Sequence, residues 1–246
     1  MSTLALWGPP GSGKTTVVVK TAPRPLVVID VDNKIGRMSN LVRELEDPNV
    51  IIMPVRTPLV QDSLQQRLRK LGSVHDLTKD ATIATEPRGY IEIVGHINRV
   101  TAVPDNASPE ELAAGTVWPK WPNQDGELVD VATFFIDSGT RTLEHAKRFL
   151  LYHAKKGAMT LPGWGVWLTQ LEEFFTVCCA MQPNFIISFH EKLDKDEDSG
   201  IILTLPSLEG QMATKMGSYF EEMMHTELEL QGEKKSYKLR TVDTKM

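Results

Sequence analysis

The chain has 246 residues, 41% of them hydrophobic, which is enough for a full core in one large domain or one domain with an insertion. Its formal net charge of -5 excludes a globally basic nucleic-acid binder and leaves that role only to a local positive stripe. The adjacent Cys178 and Cys179 predict packed thiols in a reduced cytoplasmic compartment. No apolar run reaches the roughly 18 residues of a membrane span, and no leader is expected ahead of the first strand.

In chain order, Leu4-Ala5-Leu6-Trp7 predicts a short buried strand, and Thr16 to Lys20 the start of a helix. Between them lies Gly8-Pro9-Pro10-Gly11-Ser12-Gly13-Lys14-Thr15, which satisfies G-x-x-x-x-G-K-[ST] at every fixed position. Glycines let such a loop wrap a phosphate with its N–H groups inward, and the helix start adds partial positive charge. The expected nucleotide-binding set is therefore Gly8, Pro9, Pro10, Gly11, Ser12, Gly13, Lys14, Thr15 and Thr16. Lys14 would reach the β- and γ-phosphates of a nucleoside triphosphate, and the Thr15 hydroxyl would hold Mg²⁺.

Pro25 to Asp30 is an apolar run ending in acid, as expected of a central parallel strand. Arg37 to Leu45 predicts a helix, Asn49 to Met53 a strand, and Pro58 to Leu71 an amphipathic helix carried by Leu64, Leu68 and Leu71. From about Ser73 to Asp130 the pattern is irregular. Tyr90 to Val94 predicts a strand there. Pro104 to Pro122, with Trp118 and Trp121, predicts an inserted surface excursion, and those two tryptophans a partner surface.

Val131 to Asp137 predicts a buried strand, Thr140 to Lys155 a helix, Lys155 to Gly165 a loop, Val166 to Met181 a helix, and Asn184 to Phe189 a strand ending at His190. Ile201 to Leu205, Met224 to Gln231 and Ser236 to Thr241 predict antiparallel edge strands. Alternating strands and helices imply an α/β fold, a mainly parallel sheet covered on both faces.

Phe134-Phe135-Ile136-Asp137 has the form of a Walker B strand, placing Asp137 beside Thr15 to hold Mg²⁺ through water. Hydrolysis also needs a group that orients or deprotonates water. Asp30 and Asp32 alternate across one strand end, so only one of them can face the nucleotide. His190 sits at the carboxyl end of a strand expected beside the Walker B strand, where ligands bind, and would report the γ-phosphate.

Several segments occur in the same order in one known family. They are Gly8 to Thr15, the acid pair after Ile29, Phe135-Ile136-Asp137-Ser138, Ile186 to Lys192, Leu205-Pro206-Ser207-Leu208-Glu209-Gly210 and Tyr237 to Thr241. In these the chain resembles phage-encoded RecA/Rad51-like P-loop ATPases of the Sak-type single-strand annealing group. The resemblance covers most of the chain outside about 73–130 and implies one RecA-like ATPase domain over 1–246. It implies ATP and Mg²⁺ as cofactors, Asp32 as catalytic acid (Asp where the family usually has Glu) and His190 as sensor. It also implies DNA loops at Ala154 to Ala158 and Glu191 to Gly200, with Lys155 and Lys156 on phosphates and Trp164 or Trp167 stacking on bases. ATP sites between subunits of a homo-oligomer would take a basic residue in trans, for which Lys245, Arg240 and Lys215 are candidates.

The resulting expectation is an ATPase acting on single-stranded DNA in phage recombination, in the host cytoplasm, with a single-strand binding protein as a further partner and no membrane. Its rivals are a packaging or helicase-type motor, a small-molecule kinase, for which no lid with clustered arginines is present, and a nucleotide-gated interaction module with little turnover.

Overall fold

The computed structural model describes residues 2–55, 88–101, 110, 119–154, 158–195, 202–209, 212–231 and 234–241. The expected helix at 58–71, Trp118, Lys155, Lys156, Gly210 and Lys245 lie outside them.

The first strand, β1 (Thr3–Gly8), runs into the glycine loop and α1 (Lys14–Thr21). Then come β2 (Leu26–Asp30), two 3-10 turns, the short α2 (Val42–Leu45) and β3 (Val50–Pro54). Asn40 and its neighbours are therefore held in tight turns where a helix from Arg37 is expected. After α3 (Arg88–Thr101), a small two-stranded ribbon, β4 (Lys120–Pro122) with β5 (Leu128–Asp130), leads to β6 (Thr133–Asp137). The helices α4 (Gly139–His153) and α5 (Leu161–Cys179) precede β7 (Asn184–Lys195), β8 (Ile202–Pro206), α6 (Met212–Lys215), β9 (Glu222–Gln231) and β10 (Lys234–Thr241).

Among the described residues, eight strands form one sheet in the order β10-β9-β1-β7-β6-β2-β3, with β8 pairing with β7. The five strands from β1 through β7, β6 and β2 to β3 pair in parallel along this order. Period-two alternation sends their side chains to two cores. Trp7, Val27, Ile29, Phe134, Ile136 and Phe189 join one with α5. Leu6, Val28, Phe135 and Ile186 join the other with Val18 and Val19 of α1.

Three expectations are corrected. Tyr90 to Val94 lies in α3: Ile93, Ile97 and Val100 recur at helical spacing and are buried, while Ile91 is exposed. The five-residue stretch is too short for its alternation to outweigh that longer period. Trp121 is no partner surface. It is 2% exposed, with the Arg99 guanidinium 4.9 Å from its ring centre and His96 at 6.2 Å. The third correction concerns β9, which is not an edge strand. It pairs parallel with β1 and antiparallel with β10, so only β10 lies at that edge.

Trp121→Ala removes a fully buried indole and should cost about 3–5 kcal/mol of folding stability. Chemical denaturation of the two proteins measures it; a loss within experimental error would return Trp121 to the surface.

Candidate nucleotide-binding site

The carboxyl ends of β1, β2, β6 and β7 open onto a cavity of about 800 Å³. Its floor is the loop from Pro10 to Thr16. Lys34, Asp137, Ser138 and His190 also line it, with Val17, Met38, Asn40, Tyr237, Lys238 and Leu239.

The loop has the conformation a phosphate cradle needs. Gly11 and Gly13 adopt left-handed φ values of 78° and 88°. A Cβ on Gly13 would come within 3.2 Å of the Tyr237 ring, and one on Gly8 within 2.3 Å of the Thr226 carbonyl oxygen. Those approaches bring β9 and β10 against the loop. Ser12 and Thr226 share a side-chain hydrogen bond, and the Thr226 hydroxyl donates to the Trp7 carbonyl at 3.0 Å. The helix α1 begins at Lys14, so its first N–H groups have no helical partner, and Lys14, Thr15 and Thr16 line the cavity.

Lys14 is almost fully buried, and its Nζ donates to the carbonyls of Gly8 at 2.8 Å and Pro9 at 2.9 Å. Burial pulls its ammonium down to about 8, against the opposing effect of Asp137. The Thr15 hydroxyl donates to Asp137 Oδ2 at 2.7 Å, and the Ser188 hydroxyl donates to Asp137 Oδ1. A hydroxyl and a carboxylate side by side at the phosphate end are hard oxygen donors of the kind Mg²⁺ takes, so these residues fit that ion.

Of the two acids near the end of β2, Asp30 is structural. It is buried and accepts the backbone N–H groups of Lys34 at 3.2 Å and Ile35 at 2.8 Å. Burial pushes its carboxyl up, partly opposed by those two bonds. Asp32 turns the other way. Lys34 Nζ lies 2.7 Å from one of its oxygens and Arg141 Nε 3.6 Å from the other. Burial pulls the Lys34 ammonium down, but Asp137, Asp32 and Asp30 more than offset this and hold it above the ordinary lysine range.

His190 is register-paired with Gly8, its backbone N–H donates to the Thr140 hydroxyl at 3.0 Å, and its buried Nδ1 has no hydrogen-bond partner. Burial, then the Lys14 charge, lowers its pKa. The next residue, Glu191, is 3.1 Å from His225 Nε2.

Other expected residues are placed elsewhere. A Thr160 cap starts α5 at Leu161, so Trp164 belongs to a helix, half-buried, with Lys147 Nζ 4.8 Å from its ring centre. Trp167 is buried in the core and is unavailable to stack on a base. Glu191 to Lys195, expected in a loop, continue β7 and pair with β8. Lys215 pairs with Glu172 at 3.4 Å and Arg240 with Glu227 at 3.1 Å. Sequence reasoning missed Lys34, Met38, Asn40, Thr226 and Leu239 as cavity residues. Tyr237, Leu239 and Arg240 were legible only as members of a family segment.

A phosphate loop between the first strand and its helix, with the Asp137 strand end beside it, defines a P-loop ATPase. A family model described as an AAA domain matches residues 2–245, and the chain belongs to that family. No curated protein sequence matches it at a significant level. Among solved structures it is similar to the flagellar accessory protein FlaH from Methanocaldococcus jannaschii. That match has a TM-score of 0.41 and 9% identity, over 98% of this chain and 77% of that one. For an ATPase from the type III secretion system of pathogenic bacteria the TM-score is 0.44 and the identity 11%, over 91% and 51% of the respective chains. For a KaiC-like protein from Pyrococcus horikoshii the values are 0.40 and 12%, over 98% and 77%. Among the described residues no helix is long and apolar enough to cross a membrane.

Phosphate oxygens favour the charged form of Lys14, so binding raises its pKa above about 8. The sign follows: nucleotide affinity is level below that pH and falls as pH rises through it, by up to about tenfold per unit. Titration of a fluorescent ATP analogue across this range measures the slope, which Lys14→Ala should remove.

Proposed function

We propose that the protein is a RecA-like ATPase of a phage-type recombination system, coupling ATP to the annealing or pairing of single-stranded DNA in the cytoplasm. The ATPase half rests on one observation, the convergence of Lys14, Thr15, Asp137 and His190 at the carboxyl end of the parallel sheet. The DNA-directed half is supported by the order of family segments along the chain. The proposal includes a single domain over 1–246 with an insertion at about 73–130, a homo-oligomer with ATP at subunit interfaces, and a single-strand binding protein as an accessory partner.

In this scheme the loop N–H groups and Lys14 bind the polyphosphate, and Tyr237 and Leu239 with Val17 and Met38 offer the base an apolar slot. Thr15 would hold Mg²⁺ directly and Asp137 through water. When bound, the ion neutralises charge on the β- and γ-oxygens. Asp32 takes a proton from the attacking water, whose oxygen bonds to the γ-phosphorus as the bond to the β-phosphate oxygen breaks. The electron pair leaves with ADP, and the proton passes on to inorganic phosphate. His190, which lines the cavity from β7, contacts the γ-phosphate and reports its presence. DNA contacts are assigned to Lys155, Lys156 and the exposed side of Trp164, and the trans contact to Lys245, Arg240 or Lys215.

A second reading, a nucleotide-gated interaction module, is favoured by the two cations that hold Asp32. ATP turnover by the wild type and Lys14→Ala, with and without single-stranded DNA, separates them. DNA-stimulated turnover lost in the variant by at least about 100-fold is expected. Turnover indifferent to DNA would sink the DNA-directed half, and directional unwinding would favour a motor.

A further inference from the structure

Besides Lys14 and Lys238, which pairs with Glu229, the cavity carries a lysine that the roles above leave unused. Asp30 receives the backbone N–H groups of Lys34 and Ile35, which fixes where the Lys34 side chain leaves the turn after β2. That side chain, 44% exposed, lines the cavity together with Lys14, Asp137 and His190. The family segments place their acid pair just before it and assign Lys34 nothing.

Asp32 is bracketed by Lys34 on one carboxylate oxygen and by Arg141 on the other. The two cations are not equivalent. Arg141 also pairs with Glu144 at 2.7 Å, on the side of α4, whereas Lys34 lines the cavity. A γ-phosphate entering beside Lys14 would therefore meet the Lys34 ammonium while Asp32 still holds it. Phosphate oxygens carry more charge than one carboxylate, and a flexible four-carbon stem lets an ammonium change partner with little backbone cost. Arg141 stays on the other oxygen of Asp32 after the exchange.

We propose that Lys34 is a γ-phosphate cation acting in cis and that it releases Asp32 when it binds that phosphate. The inference rests on the ATPase reading and adds a gate to it. ADP has no γ-phosphate, so Lys34 stays on Asp32 and the carboxylate cannot accept a proton. With ATP the ammonium moves to the γ-oxygens, stabilising charge that grows there in the transition state, and Asp32 is free for the water. Recognition of the third phosphate and exposure of the base become one event. The hydrolysis step balances as above: one proton leaves water for Asp32, and Lys34 donates hydrogen bonds without losing its own proton.

The test compares Lys34→Ala and Lys34→Arg with the wild type, using a non-hydrolysable ATP analogue, ADP, and steady-state turnover. The expected Lys34→Ala result is analogue affinity lower by about tenfold or more, ADP affinity within about twofold, and kcat lower by roughly 100-fold, with Lys34→Arg recovering most of both losses. A thermal midpoint equal to that of the wild type shows that the turn is intact. Asp32→Asn frees Lys34 and should tighten the analogue while lowering kcat. Equal losses of analogue and ADP in Lys34→Ala would reduce Lys34 to a support for the loop and overturn the proposal, as would affinities and turnover unchanged from the wild type. Mixing Lys34→Ala with Lys14→Ala subunits tests the cis assignment: continued low turnover supports it, and restored turnover overturns it. A wild type that binds neither nucleotide overturns the ATPase reading itself, and a wild type that turns over ATP beside a fully active Lys34→Ala overturns only the role of Lys34.

Discussion

The Asp137 carboxylate holds this site together. It is buried, and a buried carboxylate without partners would be strongly destabilising. Its two oxygens accept hydroxyls from Thr15, 122 residues earlier, and from Ser188, 51 residues later. The phosphate loop, the β6 strand end and the β7 strand are thus joined at one point. Parallel pairing of β6 with β2 on one side and β7 on the other sets where that carboxylate can stand. Once it is placed, His190 follows two residues beyond Ser188 along the same strand, on the same face.

A second constraint comes from the C-terminal strands. The strand β9 joins the sheet parallel to β1, and Thr226 lies so close to Gly8 that no side chain larger than hydrogen fits there. The Thr226 hydroxyl meets both Ser12 and the Trp7 carbonyl. The loop is therefore held from beneath by a segment more than 200 residues away. The hairpin partner β10 brings Tyr237 over Gly13. The phosphate cradle is set by tertiary contacts as well as by its own glycines, and its outer wall is the last described strand of the chain.

The cations around the phosphate loop each answer to particular oxygens. Lys14 answers to the Gly8 and Pro9 carbonyls, Lys34 to Asp32, and Arg141 to Asp32 and Glu144. Desolvation lowers Lys14, whereas three nearby carboxylates hold Lys34 up, so two lysines of one cavity differ in how readily they lose a proton. Partners that must be exchanged for phosphate oxygens make binding a competition among hydrogen bonds, and this ties the chemistry to which phosphates are present.

The phosphate loop, the strands around it and the acid at the end of β6 are legible along the chain, because each is a local pattern whose period or spacing forces its geometry. Long apolar runs such as Val27 to Ile29 and Phe134 to Ile136 can satisfy two-sided burial only as central strands. Short or mixed segments were not legible in this way. The residues from Tyr90 became a helix because Ile93, Ile97 and Val100 found a face to bury against, and Trp121 became core because the Arg99 guanidinium and His96 lie against it. Which of Asp30 and Asp32 serves the turn and which meets Lys34 and Arg141 depends on long-range packing, since alternation along a strand says that they differ but not which way the turn rotates. The tertiary structure alone brought Lys34, Thr226 and Tyr237 to the nucleotide cavity, because strand order across a sheet is set by which faces can be buried together, and no spacing along the chain encodes that.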